Sequence, residues 1–578
     1  MDNKSIAKII EEIGTMIELT GGNPFKARAH YSAARTAEIL KQPIEAMVEN
    51  GTLGEIKGFG KAMVDKVSEL VKTGNIVEYE ELRALIPDGL FDILRLPGIG
   101  PKKVYAIHSK LQVATLGELE YACTENRLAM LDGFGQKTQD NILSGIEQLS
   151  RYKDRYLYSV ADGEASALLG EILAIPNVER ASVAGSIRRH CETVGNIDIV
   201  ASVPEKERRD VTDRFIKLPA VEETIETGQS GAAVRITAGL NVKLRFASEN
   251  EYPFFLHYFT GSKEYAASLK RHAGSMGLVL TESGIFNDET KASIPCLHEE
   301  DIFKTLNLAY IEPELRENLG EIDTASGRGL PTLVEEGDIK GILHIHTTYS
   351  DGKNSIEEMV NTCRNLGYEY IGICDHSKSA FYANGLSKER VLEQHKEIDA
   401  LQKNYPDITL FKGIESDILQ DGSLDYPEET LKLFDFVVAS VHFKLTMSKS
   451  EATTRLERAI RNPYTTILGH PTGRLLLSRE GYPLDWEVIF KTAHKCNVAM
   501  ELNANPHRLD LDWRLCRRAK EMKVPIAVNT DAHHISGLDD IKYGVGIARK
   551  GWLGPADIIS TLATQELKVY FKKEKKDL

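Results

Sequence analysis

Apolar residues along this chain change their spacing twice. From Ile6 to Leu40 they recur at helical intervals, interrupted at Gly21-Gly22-Asn23-Pro24, a turn that opens a second helix at Phe25. A glycine-punctuated unit then repeats, as Ile56-Lys57-Gly58-Phe59-Gly60-Lys61, Leu96-Pro97-Gly98-Ile99-Gly100-Pro101-Lys102-Lys103 and Leu131-Asp132-Gly133-Phe134-Gly135-Gln136-Lys137. Each copy reads apolar, x, glycine, apolar, glycine, then a cation and a helix. From about Arg151 strands alternate with helices. Residues 317–336, with Gly320, Ser326, Gly327, Gly329 and Pro331 among charges, read as a linker. Beyond it, short and nearly continuous apolar strands alternate with helical stretches such as Ser387 to Lys403 and Ser450 to Arg461. That alternation predicts a parallel sheet closed as a barrel.

Most of these last strands end in a residue that can hold a metal. The first, Gly341-Ile342-Leu343-His344-Ile345-His346, delivers two histidines to one face, because alternate side chains of a strand point the same way, and Asp351 follows within a loop's reach. Next come Ile371 to His376, Leu410 to Glu415, Val437 to His442, Ile467 to His470, Ala499 to Asn503, and Ala527 to His533 with Asp531. In a parallel barrel such residues converge on one mouth. Each histidine alone is equally well a satisfied core side chain. Nine ligand-type residues in strand order (His344, His346, Asp351, His376, Glu415, His442, His470, Asp531 and His533) point instead to a divalent-metal cluster, with Mn2+, Zn2+ and Fe2+ all suited to imidazole and carboxylate. His395, His494, His507 and His534 stand off the pattern.

Length and charge add bounds. A chain of 578 residues exceeds one core and implies several domains. The net charge of -14 does not choose a partner, since a basic surface in one domain survives an acidic average. Seven scattered cysteines with no Cys-x-x-Cys pair suggest neither a disulfide framework nor a thiolate zinc site, as in a reducing cytoplasm. No apolar run approaches the roughly 20 residues that span a bilayer, so a soluble, intracellular protein with no membrane partner is expected, and a monomer is expected besides.

The glycine repeats resemble the helix-hairpin-helix motif. Glycine lets the backbone come close to a phosphate, and the N–H groups opening the next helix accept that anion. The resemblance implies DNA-backbone contacts from Gly58, Gly60 and Lys61, from Gly98, Gly100, Lys102 and Lys103, and from Gly133, Gly135 and Lys137; a single copy would be an ordinary glycine turn. Val183-Ala184-Gly185-Ser186-Ile187-Arg188-Arg189, Gly195 to Val200, Asn241 to Phe246 and Tyr258-Phe259-Thr260-Gly261-Ser262 resemble, in order, the palm and thumb of family X DNA polymerases. The barrel is similar to the PHP domain, and the whole chain resembles the bacterial and archaeal PolX family. The implied fold is multidomain, α+β and α/β. It comprises a helical lyase-like domain (1–82), a second helix-hairpin-helix domain (83–150), a palm (151–250), a thumb (251–316), the linker, and a distorted (β/α)7 PHP barrel (337–578).

The resemblance also implies roles. His344, His346, Glu415 and Asp531 would hold one metal, Asp351, His376 and His533 a second, and Glu415, His442 and His470 a third, with Glu415 bridging. Two-metal nucleotidyl transfer needs three carboxylates in the palm, and those positions read Asn196, Asp198 and Lys243. Asp198 remains as the catalytic acid, Lys243 is expected to pair with it, and Mg2+ binding and polymerisation are expected to be weak or absent. Gly185, Ser186 and Arg189 form the phosphate and nucleotide grip, or are a turn and a surface arginine. Lys66 takes the place of the family's Schiff-base lysine, with Tyr31 and Lys26 as neighbours, or is an exposed helix lysine. Arg508 contacts substrate phosphate or is a loop arginine. The expected function is a metal-dependent 3'–5' exonuclease on gapped, nicked or damaged DNA, extending to abasic sites. A gap-filling polymerase using deoxynucleotides, a DNA-binding scaffold and a small-molecule phosphatase are the alternatives.

Overall fold

The computed structural model describes residues 1–150, 155–327 and 329–572 and divides into two compact units, Met1–Gln148 and Leu149–Leu578. The boundary expected at 151 lies outside the described residues. In the first unit the helix Asn3–Leu19 is capped by Asp2, whose side chain accepts from Ser5 N, and buries Ile6, Ile10, Ile13 and Ile17 at helical spacing. The second helix, Pro24–Ile39, opens on the Asn23 cap with proline in its first turn. In the glycine units Gly58, Gly98 and Gly133 sit at φ +105°, +77° and +84°, where a Cβ would be strained. Phe59, Ile99 and Phe134 between the glycines are buried. Gly60 and Gly100 then cap the helices Lys61–Thr73 and Pro101–Leu111 without a side-chain partner.

The second unit begins with a five-stranded sheet in the order Arg180–Val183, Asn196–Ser202, Asn241–Ala247, Gly231–Ile236, Val221–Gly228. The second and third of these are parallel, with Asp198 opposite Lys243. The helices Tyr252–Thr260, Lys263–Ser275 and Glu299–Thr305 follow, with a small antiparallel sheet of Leu278–Leu280, Ile285–Asn287 and Ser293–Ile294. Residues 317–336 are not a loose linker as their glycines suggested. They contain the helix Glu321–Ser326, and Ile322, Ala325 and Leu333 join the core of Tyr265, Leu269 and Phe303.

Seven parallel strands then run in chain order: Gly341–Ile345, Tyr370–Ile373, Thr409–Asp417, Phe436–Ser440, Ile467–Leu468, Ala499–Asn503 and Ile526–Asn529. The ring nearly closes on itself, since Ile345 bridges Ala532, His346 N donates to Ala532 O (2.9 Å) and Leu343 N donates to Asn529 Oδ1 (3.0 Å). Strand alternation places Phe411, Gly413 and Glu415 on one face, and Phe436, Val438 and Ser440 on another that leads to His442. A Cβ on Gly413 or Gly372 would meet the Phe436 ring at 2.2 or 2.6 Å, so glycine makes room for that ring. The helix Thr564–Phe571 adds Leu567 and Tyr570 to this apolar layer, and Phe571 stacks on Phe436. No helix among the described residues is long and apolar enough to cross a membrane.

Candidate metal centre

The strand C-termini bring all nine sequence-predicted ligands together beneath the surface. His344, His346, Asp351, His376, Glu415, His470, Asp531 and His533 are buried, and the His442 side chain is 4% exposed. Within the second unit donor atoms gather in three groups: His346, Asp351, His376 and His533; His344, His346 and Asp531; His376, Glu415 and His442. Glu415 lies between them, with Oε1 3.0 Å from His470 Nε2, 3.1 Å from His442 Nε2 and 3.5 Å from His344 Nε2, and Oε2 2.7 Å from His376 Nδ1. Asp531 Oδ1 stands 3.0 Å from His346 Nε2, and Asp351 Oδ2 3.3 Å from His376 Nε2. Compared with the sets implied by sequence, His346 and His376 each belong to two groups.

The donor set fits divalent ions. Buried Nε2 atoms of His344, His346 and His442 make no hydrogen bond of good geometry although carboxylates stand near them. Clustered imidazole and carboxylate donors of this kind suit a shared divalent ion. Burial would raise Glu415 and Asp531, but the facing imidazoles override it and hold both well below the usual carboxylate range. Burial, then the charge of Arg508, pushes His470 down to about 4.

A second layer, which sequence reasoning passed over, fixes the rings. His344 Nδ1 donates to Glu501 Oε1 (2.7 Å), and Glu501 also accepts from His470 N (2.7 Å) and Asn529 Nδ2 (3.1 Å). His442 Nδ1 donates to Asp417 Oδ1 (2.5 Å), His533 Nδ1 to Asp531 O (2.9 Å), and Asn503 Nδ2 to Asp531 Oδ2 (3.0 Å). Asp375 knots the loop that carries Asp351, accepting from Thr347 N and Oγ1, Ser350 Oγ and Gln394 Nε2. Each anchored ring turns its other nitrogen inward. The available signal was parity: Glu501 and Asn503 share a face of their strand, as do Glu415 and Asp417.

A DNA polymerase/3'-5' exonuclease PolX of Bacillus subtilis (strain 168) is 35% identical over 575 residues, covering 99% of this chain and all of its own length. The chain belongs to the PolX family. Family descriptions match in parts: helix-hairpin-helix domain (1–76), SAM-like helix-hairpin-helix tandem (91–148), DNA polymerase beta thumb (255–317) and PHP domain (343–504). Probable phosphatases are also similar. One from Thermoanaerobacter sp. (strain X514) is 26% identical over 253 residues, 42% of this chain and 98% of its own. One from Caldicellulosiruptor saccharolyticus is 32% identical over 200 residues, 33% of this chain and 78% of its own.

The other site residues expected of a PolX chain sit in different surroundings. Asp198 accepts from Asn196 Nδ2 (2.7 Å) and from Arg245 Nη1 (2.5 Å), while Lys243 is exposed and makes no ion pair among the described residues. The expected Lys243–Asp198 pair is therefore replaced by Arg245–Asp198. Arg245 lies two positions along the same strand, hence on the same face, and its guanidinium also covers the Phe259 ring at 4.2 Å. Gly185, at φ +63°, lies against Asp198, where a Cβ would come within 2.8 Å of Oδ2. Ser186 is on the short helix Gly185–Arg188. Arg189 is drawn inward, donating through Nε to Glu317 (2.9 Å) and through Nη1 to Thr260 O (2.6 Å); Glu317 also binds Lys550. Arg508 is buried on the His470 side of the centre.

In the first unit Lys66 Nζ meets Glu78 and lies 2.9 Å from His30 Nε2; Lys26 reaches the same Glu78 at 2.6 Å, and Tyr31 turns to Thr15 and Glu18. Lys61, Lys102 and Lys137 are exposed, whereas Lys103 bends back to Gly98 O (3.3 Å).

Proposed function

We propose that this chain is a metal-dependent DNA phosphodiesterase, a 3'–5' exonuclease acting at the PHP centre, with a palm that polymerises weakly or not at all. The observation that carries the reading is the convergence of eight ligand-type side chains, nearly all fully buried, around Glu415, each anchored ring aimed inward. His344, His346, Asp351, His376, Glu415, His442, His470, Asp531 and His533 would hold up to three divalent ions, Mn2+ or Zn2+ foremost and Fe2+ also suited. Bound there, such ions supply Lewis acidity to water and to phosphoester oxygens. The chain's own part is to fix imidazole orientation through Glu501 and Asp417 and to place the Arg508 charge beside the centre, where it favours an anionic substrate. The Bacillus subtilis relative's name includes 3'-5' exonuclease, and the match to the helix-hairpin-helix and thumb descriptions supports DNA as the partner.

That name also includes DNA polymerase, which keeps gap filling as the second reading. Asn196 and Lys243 count against it, and Asp198, the remaining acid, is engaged by Asn196 and Arg245. Gly185, Ser186 and the backbone around them are proposed to keep a grip on phosphate without transfer. The open caps at Gly60 and Gly100, the parallel unit at Gly135, and Lys61, Lys102 and Lys137 would hold gapped, nicked or damaged duplex by its phosphates. The free cysteines suit a reducing cytoplasm. Lys66 is proposed as a Schiff-base lysine toward abasic sugars. Burial first of all lowers His30, so its neutral imidazole, 2.9 Å away, is placed to take the proton. Borohydride should trap an abasic oligonucleotide on the protein and not on Lys66→Ala; equal trapping rejects the role.

The deciding experiment uses a 5'-labelled primer on a gapped duplex with Mn2+ and all four nucleotides. Shortening that His344→Ala abolishes is expected. Lengthening of the primer would overturn the silent palm, and shortening that survives His344→Ala would move the nuclease elsewhere.

A further inference from the structure

An aromatic group stands at the edge of the metal centre that no ligand role explains. The Tyr382 ring lies 6.2 Å from that of His376 and 6.5 Å from that of His442, both centre residues. Phe443 packs edge-on against Tyr382 at 5.2 Å and lies nearly parallel to Phe381, at 6.0 Å and 22°. Tyr382 is buried, Phe443 half-buried, and Phe381 leaves 73% of its surface in solvent. Phe381 is backed by Phe443 and leaves the rest of its ring free to meet a ligand.

Three of the loops that carry ligands also carry an exposed lysine. Lys353, Lys378 and Lys444 each follow a ligand by two residues, after Asp351, His376 and His442, and all three are exposed. Lys353 and Lys378 make no ion pair among the described residues, and Lys444 donates to Gln420. Lys378 lies three residues before Phe381 and Lys444 directly follows Phe443, and exposed cations in the same loops as an open aromatic face suit single-stranded nucleic acid, phosphates to the lysines and a base face to the ring.

We infer that Phe381, with Tyr382 and Phe443 behind it, is a stacking subsite for a base at the strand end being hydrolysed, and that Lys353, Lys378 and Lys444 hold the neighbouring phosphates. The inference rests on the exonuclease reading and deepens it. It also explains how a centre formed by metal ligands distinguishes a nucleotide strand from a small phosphate ester.

The test compares two single-stranded oligonucleotides, identical except that one lacks its 3'-terminal base. The wild-type protein is expected to cleave the complete one about tenfold more efficiently in kcat/KM, the scale of one base stacked on an aromatic ring. Phe381→Ala should lose that factor on the complete strand, mainly in KM, and be unchanged on the baseless one, while Phe381→Trp should keep the preference. Phe381 is exposed, so these substitutions leave the fold intact. Separately, a 3'-terminal 2-aminopurine should be quenched on binding the chelator-stripped full-length protein, and less by Phe381→Ala with Phe443→Ala. If no strand is cleaved but quenching behaves as stated, the exonuclease reading fails and the subsite stands. If the wild type cleaves both strands alike, or quenching is the same in wild type and double variant, the subsite is overturned.

Discussion

The barrel centre and the palm begin from the same device, acidic residues delivered by parallel strands, and end as opposites. At the barrel, Glu415 faces imidazoles of which His344 and His442 are tied through their other nitrogens to Glu501 and Asp417, and Asp531 faces His344 and His346. At the palm, Asp198 faces a guanidinium from its own sheet and the amide of Asn196. An imidazole can be neutral and lend its lone pair to a metal, whereas a guanidinium only donates and stays charged. The neighbour, more than the carboxylate, decides whether a cluster of acids recruits an ion or satisfies itself.

The contrast can be broken or sharpened by substitution. The largest effect is expected from His344→Ala, about a thousandfold in exonuclease rate, since a lost ligand removes several kcal/mol of charge stabilisation. A loss under tenfold would place the chemistry elsewhere. Glu501→Gln weakens the anchor of His344 without touching a ligand and should lower Mn2+ affinity about ten- to a hundredfold, read by competition with a chelator. Unchanged affinity would mean that the second layer is decorative. In the palm, Asn196→Asp with Lys243→Asp returns the missing acids and should raise nucleotide incorporation by about tenfold or more. No gain would show that Arg245, or a loss beyond these positions, silences the site. The smallest change belongs to the hairpins: Lys61→Ala should reduce the slope of log affinity against log salt by about 0.9 for one lost phosphate contact, and an unchanged slope would remove Lys61 from the interface.

Much of this was legible before any coordinates. The glycine units and the ordered strand ends follow from residue type and spacing, because a left-handed turn selects glycine and a parallel barrel aligns its strand termini. What escaped was relational. Arg245 looks like any exposed strand cation until its guanidinium is seen to reach Asp198 on the neighbouring strand. Glu501 and Asp417 resemble any strand polar residue until His344 and His442 are seen to lean on them. Residues 317–336 look like a spacer because glycine, serine and proline recur among their charges, yet Ile322, Ala325 and Leu333 join the core of the thumb. The sharing of His346 and His376 between groups depends on ring positions that spacing does not encode.

The near-closure of the barrel has a bearing on how the protein is made. Leu343 meets Asn529 across 186 residues of chain, and His346 meets Ala532 beside it, so the first ligands emerge long before their partners Asp531 and His533. During synthesis the early histidines must wait, unpaired with the acids that complete their groups, until the seventh strand arrives. Metal loading is then an event of the finished chain: an arrested translation product ending before Asp531 carries most of the donors and lacks the centre.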